Sequence, residues 1–236
     1  MDPESLAKKY YGDMCETYDS LREVTPQWVS EQKIVQEFLK KFPAKTSVLD
    51  IPVGTGRFFE TYLKFSFKVV GIDISDAMLE KAQKKADTKL QEIRLEKGNI
   101  FSLNFPDNKF DVVVCVRFMD WVGGKDFDRA LSELARVSFD TIIVYIPTYT
   151  QISEIKPFSY TGICRLLRQF KLKFYMNRTK SESVIHEKSD VYRLIDRLGL
   201  QVMDKVCIDQ PGRYWKRGHE RDIYLLQKTK GRANLG

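Results

Sequence analysis

The sequence lacks long apolar runs, paired cysteines and more than two histidines. No stretch approaches the roughly 18 uninterrupted apolar residues of a membrane-spanning helix. The first residues, Met-Asp-Pro-Glu-Ser, are polar and acidic, unlike the basic and then apolar start of a secretory signal. The four cysteines lie far apart and form no Cys-x-x-Cys pair. These absences argue against a zinc site and favour a reduced, cytoplasmic compartment.

Positive charge is in excess only in the C-terminal part of the chain. The 236 residues include 39 Lys and Arg against 32 Asp and Glu. Residues 147–236 hold 18 basic and 9 acidic side chains, whereas residues 1–146 hold 21 basic and 23 acidic. The length suits one large domain. Its last part is the candidate for contact with an anionic partner.

Apolar, β-branched runs alternate with segments of helical period. Seven strands are predicted: Ser47–Ile51, Lys68–Ile74, Glu92–Gly98, Phe110–Val116, Thr141–Ile146, Leu200–Ile208 and Asp222–Gln227. Runs that are nearly all apolar are typical of parallel strands with helices on both faces. The alternation, which closes on a pair of strands, predicts an α/β fold with a doubly wound, mostly parallel seven-stranded sheet.

Helices are predicted between these strands and before the first of them. The predicted segments are 7–21, 28–42, 75–86, 126–137 and 189–199. Ser75 and Ser189 are placed to cap the starts of their helices, and Gly199 is placed to end the last one.

The regular alternation is interrupted between residues 148 and 188. From Ile155 to Lys180 the chain holds seven basic residues and no acidic one, with Phe and Tyr among them. A basic amphipathic helix in this segment suits a lid over an anionic ligand, a contact with a membrane surface, or a contact with RNA. A solvated basic face over a small core is the structural alternative.

The turn after the first predicted strand has the composition of a ligand-binding turn. Asp50 ends the strand, and Gly54 and Gly56 allow the backbone to approach a ligand closely. Asp73 ends the second strand, 19 residues after Gly54, where a carboxylate can accept hydrogen bonds from both hydroxyls of a ribose. The third glycine of a dinucleotide site and the Gly-Lys-Ser/Thr of a P-loop are absent. The turn therefore predicts a nucleoside ligand rather than a pyrophosphate.

With these motifs the chain resembles the class I S-adenosylmethionine-dependent methyltransferases, of the broad type that includes the ubiquinone-biosynthesis enzymes. The first family motif, Asp-x-Gly-x-Gly-x-Gly, is matched by Asp50–Gly56 with Pro52 at the first glycine. Gly71–Leu79 matches the second motif, and Asn99 stands where the family usually has Asp. Further similar segments are 105–111 and 133–137, and the resemblance spans roughly residues 10–146 and resumes at 186–228.

The resemblance implies a Rossmann-like methyltransferase fold with S-adenosylmethionine as cofactor. It implies N-terminal helices (1–45) over the cofactor site and a helical cap at 148–188. The implied cofactor-binding residues are Tyr18, Arg22, Asp50, Gly54, Gly56, Asp73, Ile74, Met78, Asn99, Ile100, Val116 and Arg117.

The resemblance also implies a role for most of these residues. Asp73 would bind the ribose, with the adenine beside Ile74, Met78, Asn99 and Ile100. Gly54 and Gly56 would pack against the methionine part, near Val116 and Arg117. Tyr18 and Arg22 would belong to a segment that folds over the cofactor, and a core Tyr18 with a surface Arg22 is the alternative.

Methyl transfer by direct displacement depends mainly on the alignment of acceptor, methyl group and sulfur. A general base helps when the acceptor is a hydroxyl or a protonated amine. His186, before the last predicted helix, is the first candidate base, and a loop histidine without a chemical role is its alternative. Asp120 follows the fourth strand and is the second candidate, with Trp121 beside it; a loop acid and a packing aromatic are their alternatives.

The sequence therefore predicts an enzyme that methylates a small-molecule, glycan or lipid-linked acceptor, including one that carries phosphate or carboxylate. An RNA methyltransferase that uses the 155–180 segment is an alternative, although there is no recognisable RNA-binding module. A non-catalytic S-adenosylmethionine-binding partner protein is a third interpretation. No metal is expected, and a peripheral membrane contact stays open.

Overall fold

A computed structural model describes residues 25–87, 93–149, 183–208 and 219–229, together with Glu23. The helices in these ranges are α1 (Pro26–Leu39), α2 (Phe59–Lys64), α3 (Asp76–Asp87), α4 (Lys125–Val137) and α5 (Lys188–Arg197). The strands are β1 (Ser47–Asp50), β2 (Lys68–Asp73), β3 (Ile93–Lys97), β4 (Phe110–Cys115), β5 (Ser138–Tyr149), β6 (His186–Glu187), β7 (Leu200–Cys207) and β8 (His219–Lys228). Within these ranges no helix is long and apolar enough to cross a membrane.

The strands form one sheet in the order β3-β2-β1-β4-β5-β8-β7. The first five are parallel to one another, whereas β8 runs antiparallel to both β5 and β7. The predicted doubly wound α/β sheet with a closing strand pair is therefore confirmed. One strand was not predicted: the two-residue β6, which pairs with β5 beside the main path.

Helices cover both faces of this sheet, which explains why its central strands are almost entirely apolar. One core cluster packs side chains of α4 and α5 on one face, for example Leu131 and Val191. The other packs α1, α2 and α3 on the opposite face, for example Val35, Tyr62 and Ala82. Because both faces are buried, the polar side chains of these central strands lie near the strand ends, where a site can form.

The sheet brings three loops together at one edge. Asp50, the last residue of β1, is in register with Gly71 of β2 on one side and with Val114 of β4 on the other. Since these strands are parallel, the loops that follow β1, β2 and β4 leave the sheet at the same edge. The strand order reverses between β1 and β4, and this is where doubly wound folds bind ligands.

Two predicted boundaries are wrong for identifiable reasons. β5 does not end before Pro147 but runs to Tyr149, because Pro147 lies between the part of β5 paired with β4 and the part paired with β6. A missing N–H is tolerated at such a position. α5 begins at Lys188 directly after β6, so Glu187 and not Ser189 is its N-cap residue. The capping Ser75 is confirmed, since its Oγ accepts from the Met78 N–H at 3.4 Å.

The predicted insertion is bounded by ordered elements on both sides. Residues 148–149 belong to β5, and residues 183–188 lead through β6 into α5. The predicted helix at 7–21 and the basic segment 155–180 lie outside the described residues.

Candidate active site

Asp73 is the central polar residue at the edge where the three loops meet. Its Oδ2 accepts the Gly54 N–H at 2.9 Å, and its Oδ1 accepts the Ser75 N–H at 2.9 Å. The side chain is almost fully buried, and burial raises the pKa of Asp73 while the backbone N–H donors oppose that shift. The carboxylate thus connects the turn after β1 to the turn after β2 and borders the cleft described next.

A cleft opens above this edge of the sheet, and we call it the main cleft. Its lining residues are Trp28, Pro52, Val53, Gly54, Thr55, Arg57, Phe58, Asp73, Ile74, Ser75, Met78, Val116, Arg117, Phe118 and Trp121. The empty space of the cleft, including its open mouth, is about 850 Å³. Six predicted cofactor-binding residues line it: Gly54, Asp73, Ile74, Met78, Val116 and Arg117.

A smaller pocket adjoins the main cleft and shares Pro52, Asp73, Ile74 and Phe118 with it. Asn99 and Ile100 line this second pocket. The side-chain oxygen of Asn99 already accepts one hydrogen bond, from the Phe101 N–H at 2.9 Å. The two residues predicted for an adenine edge therefore lie beside Asp73.

The two glycines of the turn have different surroundings. Gly54 has a φ of +55°, and a Cβ built there would meet nothing within 4 Å, so the residue borders open space. Gly56 has a φ of +78°, and a Cβ there would press on the ring of Phe59. Gly54 faces the cleft, whereas Gly56 is needed for packing beneath the turn.

Asp50 lies below the turn rather than among the residues that line the main cleft. The pKa of Asp50 is raised to about 8, chiefly by burial; the charge of Asp73 adds to this rise, and the Tyr62 hydroxyl and Arg57 oppose it. Burial thus favours the neutral form of this carboxyl. The peptide bond between Ile51 and Pro52, just above it, is cis.

A buried cluster of charged residues, which the sequence analysis missed in part, closes one side of the main cleft. Glu31 of α1 is fully buried and pairs with Arg57 through Oε2 and Nη1 at 2.7 Å. Its other oxygen pairs with Nη2 of Arg117. Burial lowers the pKa of Arg117, but Glu31, Tyr145 and Asp120 together raise it above its ordinary value.

A sequence signal for Glu31 did exist. It lies on the same face of α1 as Val35, Phe38 and Leu39, all of which are buried. An acid at an apolar position of a helical stripe indicates a buried partner. Arg57 gave no such signal, because only the fold brings the turn after β1 against α1.

Asp120 and His186, the two predicted catalytic residues, lie in different surroundings. Asp120 is 7% exposed, and its Oδ2 is 3.8 Å from Nη1 of Arg117 at the cleft. The His186 Nε2 is 2.7 Å from the Met119 carbonyl oxygen, and its ring packs on Phe127 with centroids 3.9 Å apart. His186 borders a different, polar surface groove between α4 and α5.

The burial of His186 predicts how the stability of the fold depends on pH. Burial lowers its pKa below the ordinary value of 6.5, more than the Met119 carbonyl raises it. As the pH falls below about 6.5, the His186 side chain takes up a proton in the unfolded chain before it does so in the folded chain. Acid therefore lowers the free energy of unfolding. Urea titrations at about pH 7.5 and about pH 5.5 are expected to show that acidification destabilises wild type more than His186→Gln. Equal losses in the two proteins would contradict a buried neutral His186.

Tyr18 and Arg22, the remaining predicted cofactor-binding residues, lie outside the described residues. Among the described residues there is no group of three or more His, Cys, Asp or Glu side chains that could hold a metal ion. The site is thus built from the carboxyl ends of β1, β2 and β4 and from one face of α1.

A doubly wound sheet of this order, with a glycine turn after β1 and an acid at the end of β2, defines a Rossmann-like methyltransferase fold. Residues 48–139 match a family described as a methyltransferase domain. The magnesium protoporphyrin IX methyltransferase of Synechocystis, crystallised with S-adenosylhomocysteine, has a similar fold: its TM-score is 0.69 at 16% identity, over 96% of this chain and 100% of that one.

Curated relatives agree with the family match. A demethylmenaquinone methyltransferase of Symbiobacterium thermophilum is 31% identical over 58% of this chain and 56% of its own length. A dTDP-4-amino-2,3,4,6-tetradeoxy-D-glucose N,N-dimethyltransferase of Saccharopolyspora spinosa is 30% identical over 55% and 49%. The chain spans about half the length of these relatives. The family match over residues 48–139, these relatives and the fold confirm the predicted resemblance to the class I S-adenosylmethionine-dependent methyltransferases.

Proposed function

We propose that the main cleft binds S-adenosylmethionine and that the protein transfers its methyl group to a small-molecule acceptor. The observation that carries this proposal is Asp73, a buried carboxylate at the cleft that also accepts the N–H of the glycine turn. A buried carboxylate with further acceptor capacity suits the two hydroxyls of a ribose. Gly54 leaves open space beside it, in which a ligand can approach the backbone.

The polarity of the cleft matches the cofactor from end to end. Ile74 and Met78 supply apolar surface next to Asp73, where an adenine would lie, with Asn99 and Ile100 in the adjoining pocket. Arg117 lines the same cleft and carries positive charge suited to the carboxylate of the methionine part. These contacts are the assignments that the motifs implied, and the shape and charge of the cleft fit them.

When bound, S-adenosylmethionine supplies an already activated methyl group. The residues of this chain then have to align the acceptor and exclude water. Trp121 lines the cleft, where it can stack on an acceptor, and the neighbouring Asp120 is the candidate to orient one. His186 is the weaker candidate for a base, because its Nε2 is hydrogen-bonded to a backbone carbonyl and its ring packs on Phe127.

A small-molecule acceptor is favoured by the enclosed, largely apolar and aromatic wall of the cleft. Trp28, Phe58, Phe118 and Trp121 all contribute to it, and aromatic walls suit a planar or apolar group. The names of the relatives are consistent with this class, since they refer to a quinone precursor and an amino sugar.

Calorimetry tests the proposal directly. S-adenosylhomocysteine and S-adenosylmethionine are each expected to bind at one site per chain, whereas NAD is expected to give no binding heat, because the turn lacks the third glycine of a pyrophosphate site. Binding of NAD in place of S-adenosylhomocysteine would overturn the proposal. A methyl-acceptor screen with quinol, amino-sugar and porphyrin compounds would then identify the acceptor.

A further inference from the structure

Glu31 is an unusual residue for the interior of a helix face. Its side chain is 0% exposed, and a buried carboxylate is costly unless it is paired and hydrogen-bonded. Both of its oxygens lie against guanidinium groups, one from Arg57 and one from Arg117. A single acid of α1 thus joins the loop after β1 to the loop after β4.

Arg57 is held by α1 at every nitrogen. Its Nη1 donates to Glu31, its Nε to Gln32 Oε1 at 3.2 Å and its Nη2 to the Trp28 carbonyl oxygen at 2.6 Å. The guanidinium also lies over the Trp28 ring, 3.6 Å from its centroid. These contacts fix Arg57 against α1 and occupy one oxygen of Glu31. The other oxygen of Glu31 pairs with Arg117.

Arg117 differs from Arg57 in its exposure and in its backbone. Its side chain is 23% exposed, and it lines the main cleft. Its φ is +66°, a conformation that is strained for a residue other than glycine. Such strain persists where neighbouring groups determine the conformation. Here those groups are Glu31 and the Tyr145 ring, whose centroid is 4.9 Å from the guanidinium carbon.

We propose that Glu31 is a positioning residue, which holds the Arg117 guanidinium at the cleft to receive a carboxylate of the bound ligand. Arg117 has five N–H donors, so its pairing with Glu31 leaves others that can face the cleft. Arg57 also pairs with Glu31, and Asp120 lies 3.8 Å from Nη1 of Arg117. The N–H groups of Arg117 that neither acid accepts are the ones left to face the cleft, which Arg117 lines. In this assignment Asp73 serves the ribose of the ligand and Arg117 serves its amino-acid part. This inference rests on the proposed binding of S-adenosylmethionine.

The test compares two ligands that differ in the methionine part. S-adenosylhomocysteine carries the α-carboxylate, whereas 5′-methylthioadenosine has the same nucleoside and a thioether but no amino-acid group. Glu31→Gln is expected to weaken S-adenosylhomocysteine binding by about 10-fold or more. Without Glu31 to hold it, Arg117 loses its charge-assisted contact with the α-carboxylate of the ligand. Its effect on 5′-methylthioadenosine is expected to stay within about 2-fold.

Glu37→Gln is the matched control, because Glu37 lies on the same helix and pairs with Lys40 at the surface. It removes the same charge and is expected to change neither affinity. Glu31→Asp keeps the charge but shortens the side chain, and is expected to show a smaller, equally selective loss. If Glu31→Gln does not fold, the comparison made with Glu31→Asp decides the question.

Two results would overturn the inference. One is an unchanged affinity of the Glu31 variants for S-adenosylhomocysteine, and the other is an equal loss for both ligands, which indicates a merely structural role. Wild type is measured first: if it binds neither S-adenosylmethionine nor S-adenosylhomocysteine, the proposed function fails as well. If wild type binds and the variants behave as wild type, only the role of Glu31 fails.

Discussion

Asp73→Ala is expected to weaken binding of S-adenosylhomocysteine roughly 100-fold, because hydrogen bonds from two ribose hydroxyls to a charged acceptor are lost. The carboxylate borders both pockets of the site and has no substitute there among the described residues that line them. Calorimetric titration of the folded variant measures the effect. The variant also leaves the N–H groups of Gly54 and Ser75 without their acceptor, so we expect a lower free energy of unfolding as well.

Asp76→Ala is the control for this variant. Asp76 begins α3, three residues along the same turn, and its half-exposed carboxylate pairs with Lys97 at 2.7 Å. It does not line either pocket, so its replacement is expected to leave ligand affinity unchanged. Similar affinities in Asp73→Ala and wild type would show that the ribose lies elsewhere, and the assignment of the cleft would have to be abandoned.

Gly56→Ala is expected to lower the free energy of unfolding by about 2–4 kcal/mol, which combines backbone strain with overpacking. The φ of +78° disfavours any side chain, and the added Cβ would meet Phe59 Cδ2 at 2.6 Å and Cζ at 2.8 Å. Phe59 is 2% exposed and packs in the core below the turn, so it cannot move aside cheaply. Urea denaturation monitored by circular dichroism measures the loss.

Gly124→Ala separates strain from crowding. Gly124 has a φ of +56° and a ψ of −129°, a combination that residues other than glycine rarely adopt, but a Cβ there would meet nothing within 4 Å. Its replacement is expected to cost about 1–3 kcal/mol, the strain contribution alone. Equal losses in the two variants would mean that Phe59 yields to the extra methyl group, and the packing role of Gly56 would be wrong.

The Asp73 region shows how far local sequence can predict a site. Two local features predict this site: an apolar run that ends in an acid, and a glycine turn 19 residues before that acid. They form a site if the two parallel strands that carry them lie side by side. The register of β1 with β2 meets that condition. Ile74 and Met78 line the same cleft as Asp73, because both lie within a few residues of the end of β2.

His186 and Pro147 show where such reasoning is insufficient. His186 is a candidate base because the resemblance implies that its segment runs past the acceptor pocket, yet its surroundings are set by Met119 and Phe127, which are distant in sequence. The sequence predicts a strand that ends before Pro147, but the effect of this proline depends on which neighbours β5 has at that point. Neither the neighbours of His186 nor the strand pairing around Pro147 can be read from the sequence composition.

The sequence by itself determined the alternation of strands and helices, the glycine turn, the position of Asp73 and the family. Each depends on spacing along a single stretch of chain and on apolar strands being buried on both faces. Only the tertiary structure decided that Glu31, Arg57 and Arg117 meet. They come from a helix and two loops separated by tens of residues, and a buried charge finds its partners only when the whole sheet is assembled.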